Sequence, residues 1–167
     1  MLNIDLNRYA EDRSCVTPEG LKAKLLEDLL PAVAGMKLQL NRCLIATYVK
    51  PKISSGGIIF TDRTTEEDRW QGKVGLLLAT GPTAFRTDDV MAFADEQCAT
   101  EAADNHDHAI ELAFAHYGIP QVGDWVAFRT SETHEIGVRV AAGIGASCRQ
   151  IFDDSIVMVL NDPTLIW

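Results

Sequence analysis

The chain has 167 residues, 47% of them hydrophobic, and a mean hydropathy close to zero, which is enough apolar material for one well-filled core. Its formal net charge of -9 repels phosphate backbones and anionic lipid surfaces, and no Lys/Arg cluster offsets that field, so neither nucleic acid nor membrane is expected as a partner. No apolar run is long enough to span a bilayer, and Met1 to Arg13 alternates polar and charged residues where a signal peptide would be apolar, so the expected location is cytoplasmic.

The first element is a helix, with Thr17 as N-cap, Pro18 at the first helical position, and Leu21, Leu25, Leu26, Leu29 and Leu30 at helical spacing up to a stop near Pro31. Its apolar stripe is expected to pack on the domain's own surface, the alternative being a neighbouring subunit. From Lys37 the pattern turns to short β-type runs: Leu38–Val49, Val74–Thr80, Asp124–Arg129, Ile136–Ala141 and Ile156–Leu160. Turn clusters separate them, including Ser54-Ser55-Gly56-Gly57, Gly81-Pro82, Val122-Gly123-Asp124 and Gly143-Ile144-Gly145. The pattern predicts a mainly β fold, a small barrel or sandwich. Residues 83–120 read as a helical insertion, with Val90, Phe93 and Ala94 in one helix and Ile110, Ala113, Phe114 and Tyr117 in another that ends at Gly118 and Pro120. That insertion is too short for an independent core and is expected to lean on the β domain or on another subunit.

Residues Pro51 to Gly72 hold the sharpest contrast in the chain. A Ser/Gly segment and the polar run Thr61 to Arg69 enclose three adjacent large apolar residues, Ile58, Ile59 and Phe60. Strand alternation puts such a triplet on both faces of a sheet. The segment is therefore either a strand buried on two sides or a binding motif displayed on a mobile loop.

Other candidate chemistry is thin. Cys15, Cys43, Cys98 and Cys148 form no close pair, which excludes a zinc knuckle or CxxC motif and predicts reduced thiols, mostly in the core. His106-Asp107-His108, with His116 nearby, resembles a metal cluster, but the stretch reads as a helix start with Asp107 as cap, which points the histidines to solvent. His134 reads as a solvated turn residue, and Ser131, His134 and Glu135 lie too close in one turn to form a hydrolytic group. Gly143-Ile144-Gly145 lacks the βαβ context of a nucleotide fingerprint. No cofactor, metal or catalytic group is expected.

Met36-Lys37-Leu38-Gln39-Leu40-Asn41-Arg42-Cys43-Leu44-Ile45 resembles the opening strand of GroES-type co-chaperonins. Gly56-Gly57-Ile58-Ile59-Phe60-Thr61 is similar to that family's loop motif, Gln71 to Gly81 to the strand after it, and Val122-Gly123-Asp124-Trp125-Val126-Ala127-Phe128 to a Val-Gly-Asp-x-Val-x-Phe segment. Ile156 to Leu160 falls where the closing strand belongs. These matches cover most of residues 36–82 and 121–161. Residues 1–35 have no counterpart, the insertion replaces a roof hairpin, and Phe60 stands where the family has leucine.

The resemblance implies a GroES-like small β-barrel with an N-terminal helix and a helical insertion: an arm over 1–35, a barrel over 36–161 and a tail over 162–167. It implies a non-enzymatic cap for a GroEL-like chaperonin, of a kind also found in bacteriophages. Gly56, Gly57, Ile58, Ile59, Phe60 and Thr61 would be the partner-binding residues of a mobile loop over 51–72. It further implies a closed ring, a heptamer, with Leu38–Arg42 of one subunit near Ile156–Leu160 of the next. The competing expectation is a structural or assembly protein, such as a viral capsid or tail component, that reuses the same barrel.

Overall fold

A computed structural model describes residues 17–48, 73–100, 105–131, 133–139 and 145–165. They form α1 (Pro18–Val33), β1 (Arg42–Thr47), β2 (Val74–Thr80), α2 (Asp88–Ala99), α3 (His106–Tyr117), β3 (Trp125–Phe128), β4 (His134–Arg139), β5 (Gly145–Phe152) and β6 (Ile156–Leu160).

Helix α1 starts as its sequence dictates. Thr17 is extended and its Oγ1 accepts the Gly20 N–H at 3.1 Å, while Pro18 fills a position whose N–H needs no partner. The helix runs past Pro31 to Val33, further than expected. Proline removes one rung of the ladder, but the Ala34 N–H still reaches the Leu30 carbonyl at 2.9 Å and Val33 is buried. Leu21, Leu25, Leu29 and Val33, four residues apart, make the buried stripe. It packs on the chain's own sheet, against β2 and β4.

The strands build one antiparallel sheet in the order β4-β5-β1-β2-β3-β6. Strand β1 is central, with Cys43 opposite Ile151 on one side and Thr80 on the other. Alternation sends Leu44 and Ala46 to the face under α1, with Leu76, Leu78 and Trp125. Cys43 and Ile45 go to the opposite face, with Leu77, Val126, Phe128 and Ile151. Both faces are covered, which is why β1 reads as an unbroken apolar run.

Several expectations are corrected. The described fold is mixed rather than mainly β, a six-stranded antiparallel sheet with three helices. The sheet is not closed among the described residues: β4 and β6 are its edges. Strand β5 occupies residues expected to begin in a turn. The strand expected over Leu38–Val49 begins only at Arg42. Leu38 to Asn41 form no strand, Leu40 has φ +51°, and Arg42 is held between Phe152 and the Gly81 N–H.

The insertion is a helical hairpin. Asn105, not Asp107, caps α3, its Oδ1 accepting the His108 N–H at 2.9 Å. Gly118 closes α3 in the left-handed region at φ +64°, where a side chain would be strained. Val90, Ala94, Ala109, Ile110 and Ala113 form a small core between the helices. Phe114 and Ile119 join that core to the sheet face carrying Phe85 and Ile45, so the hairpin leans on its own chain.

Candidate functional site

The expected partner-binding residues Gly56, Gly57, Ile58, Ile59, Phe60 and Thr61 lie outside the described residues. Their anchor points are described. The Tyr48 N–H donates to the Val74 carbonyl at 2.9 Å, and one step inward Thr47 stands opposite Gly75. The segment 49–72 therefore leaves and re-enters the sheet at one place, the end of the β1–β2 ribbon.

That base is rigid for identifiable reasons. The Tyr48 ring meets Trp125 edge-on, with centroids 5.6 Å apart and planes at 83°, and both rings are buried beneath α1. The Phe128 N–H donates to the Lys73 carbonyl at 2.8 Å, which ties the return strand to β3. Gly75 is required by close approach: a Cβ there would lie 2.6 Å from the Ala46 carbonyl oxygen. Trp125 is thus both a core residue and part of the base of this segment.

At the other end of the same ribbon, Cys43 pairs with Thr80 and the Gly81 N–H donates to the Arg42 carbonyl at 2.7 Å before the chain enters α2. The Arg42 guanidinium lies over the Phe152 ring, 3.5 Å from its centroid. The helical hairpin and the 49–72 anchors thus occupy opposite ends of β1–β2. An open groove of about 490 Å³ runs where the hairpin meets the sheet, with Phe85, Phe114, Pro120 and Val122 as its apolar walls.

The histidines do not converge. His106 Nδ1 lies 3.9 Å from Cys98 Sγ and 4.0 Å from Asp95 Oδ1 on the solvent side of the hairpin, and no group of three side chains among the described residues is placed to hold a metal. His116 stacks on Phe93 at 4.4 Å, and His134 begins β4 instead of occupying a turn. Glu135 accepts the Ser147 hydroxyl at 2.8 Å and stands opposite Arg149. Arg149 was missed in the sequence: it is only 7% exposed, lies 5.9 Å from the Phe128 ring and donates to Thr133 Oγ1 at 3.4 Å. Burial pushes the Cys43 and Cys148 thiols up to about 12, with the Asp153 carboxylate adding to the effect at Cys43, so neither is a ready nucleophile.

No helix among the described residues is long and apolar enough to cross a membrane. Compared with known protein families and with curated proteins, the sequence matches no family model and no curated relative.

Proposed function

We propose that this chain is a non-enzymatic co-chaperonin of the GroES type, with its strands belonging to a small barrel and its Ile58-Ile59-Phe60 segment docking into a hydrophobic groove on a GroEL-like chaperonin. The observation that carries the reading is the pairing of Tyr48 with Val74, which gives the whole apolar-bearing segment one fixed origin on a buried aromatic base. A docking element needs such a base, because strain on the segment must not reach the core.

The energetics require several copies acting together. Burying three such side chains yields about 1.5 to 3 kcal/mol each, and ordering roughly eight residues costs about 1 to 2 kcal/mol per residue. One segment alone binds weakly. A ring, a heptamer in this reading, turns each later docking step into an intramolecular one. ATP hydrolysis belongs to the partner.

The test is ATP-dependent capture by a GroEL-type ring of the wild type, Ile59→Asp and Phe60→Asp. Binding by the wild type and loss in both variants is expected; equal binding by all three sinks the reading. The assembly-protein alternative draws on one specific feature, the exposed apolar strand β6. It gains if the chain assembles but no chaperonin captures it.

A further inference from the structure

The groove of about 490 Å³ where the helical hairpin meets the sheet has the make-up of a seat for one large amphipathic side chain. Phe85, Phe114, Pro120 and Val122 are its apolar walls, and Glu111 is the one charged residue lining it. Val122 is 49% exposed, so the wall on the sheet side has no full cover among the described residues.

Strand β6 delivers the chain to this place. It runs antiparallel to β3 with Leu160 opposite Trp125, so the residues after Leu160 continue toward the lead-in to β3, residues 121–124, two of which line the groove. A built turn follows. Asp162 Oδ1 accepts the Thr164 N–H at 2.8 Å and the Thr164 hydroxyl at 2.7 Å, the Leu165 N–H donates to the Asp162 carbonyl at 3.4 Å, and Pro163 is buried. Leu165, the last described residue, is 70% exposed, and Ile166 and Trp167 come next in the sequence.

We infer that Ile166 and Trp167 occupy this groove on their own chain, with the Trp167 indole between Phe114 and Val122 and its N–H on the Glu111 carboxylate, so that the stretch after β6 straps the hairpin to the sheet. Reach supplies the first argument. Neighbouring strands lie about 4.8 Å apart, and two extended residues span up to about 7 Å, enough to pass from the line of β6 to that of β3. Elimination supplies the second. Residues 49–72 and 140–144 open from the opposite end of the sheet, where Thr47 stands beside Gly75 and Arg139 opposite Gly145. Residues 1–16 lead into α1 on the other face, and Glu101-Ala102-Ala103-Asp104 would bring two further carboxylates to Glu111. Chemistry supplies the third. A tryptophan buries a large apolar body but needs an acceptor for its single N–H, and apolar walls around one carboxylate meet both needs.

The experiment uses the full chain with Cys15→Ser and Cys98→Ser, the buried Cys43 and Cys148 being poor nucleophiles, and a bimane label on Gln121→Cys at the exposed rim of the groove. Contact with an indole quenches bimane, and Trp125 contributes equally in every sample. Trp167→Phe is expected to raise the emission severalfold; unchanged emission overturns the inference. A mixing arm separates the chain's own segment from a neighbour's. Labelled Trp167→Phe chains should stay bright when unlabelled chains that keep Trp167 are added, and quenching on mixing overturns the seat on the same chain. Hydrogen exchange on unlabelled Trp167→Ala tests the strap without any label. Amides of residues 110–114 in α3 are expected to exchange faster than in wild type while those of β1 and β2 do not change, and equal rates throughout α3 overturn it. No arm involves a chaperonin, so failure here and failure of chaperonin capture are separate results.

Discussion

The Phe85 N–H donates to Asp153 Oδ2 at 2.6 Å, and this bond pins a residue held at φ +60°. The other carboxylate oxygen accepts Asn41 Nδ2 at 2.9 Å and the Asp154 N–H at 2.8 Å. One side chain thus joins the start of β1, the turn after β2 and the corner between β5 and β6. Asp153→Ala leaves these donors without their acceptor and the left-handed Phe85 without its restraint. The expected loss is about 1.5 to 3 kcal/mol in urea unfolding, with Asp153→Asn, which keeps one carbonyl oxygen, in between. No change in either variant would show that the turn is held by packing alone.

Helix α1 supplies a second test. Leu29 has no exposed surface, whereas Leu30, its neighbour in sequence, is half-buried and off the core stripe. Leu29→Ala is expected to cost about 2 to 5 kcal/mol. Leu30→Ala should cost well under half as much. If instead Leu30→Ala weakens assembly while Leu29→Ala leaves unfolding unchanged, α1 serves a neighbouring subunit and not its own sheet.

The contrast between α1 and β5 shows what sequence carries here. Helix α1 was legible because its cap and its four-residue leucine spacing are local signals. Strand β5 was not. Its start reads as a glycine turn, and polar Ser147 and Arg149 share with Ile151 the face opposite Ala146 and Cys148, so neither face reads as apolar throughout. Those polar residues are tolerable only because Glu135, Thr133 and Phe128, all distant in sequence, meet them. For the same reason the open edges at β4 and β6 were hidden, since strand order depends on long-range pairing. Ile58-Ile59-Phe60 stood out by composition, whereas the Tyr48–Trp125 base of its segment emerged only from the fold.

The buried thiols set a pH prediction. Unfolding returns Cys43 and Cys148 from about 12 to an ordinary value of 9.0. Between those limits the unfolded chain sheds protons that the folded chain keeps, so stability falls as pH rises from about 9 toward 12 and is unaffected by these groups below that window. Urea midpoints measured at pH 8, 9, 10 and 11 should decline. Replacing both cysteines with alanine should make the decline shallower. An identical slope would assign it to other groups.

Gly75 and Ile59 separate the base of the proposed docking segment from its tip. At Gly75 a Cβ meets the Ala46 carbonyl at 2.6 Å, a backbone atom that cannot rotate away, so β1 and β2 must shift where the segment is anchored. Gly75→Ala is expected to destabilise the fold by about 1 to 3 kcal/mol, the usual range for overpacking. Chaperonin capture should then fall only in step with the folded fraction. Ile59→Asp is expected to behave in the opposite way, with unfolding changed by less than about 0.5 kcal/mol and capture abolished, because every subunit of the ring carries the change and the loss multiplies through avidity. Urea unfolding and ATP-dependent capture, measured on the same two proteins, give a crossed pattern if the tip binds and the base supports. If Ile59→Asp unfolds the chain as readily as Gly75→Ala, the apolar triplet belongs to the core, and the co-chaperonin reading loses the residues on which it depends.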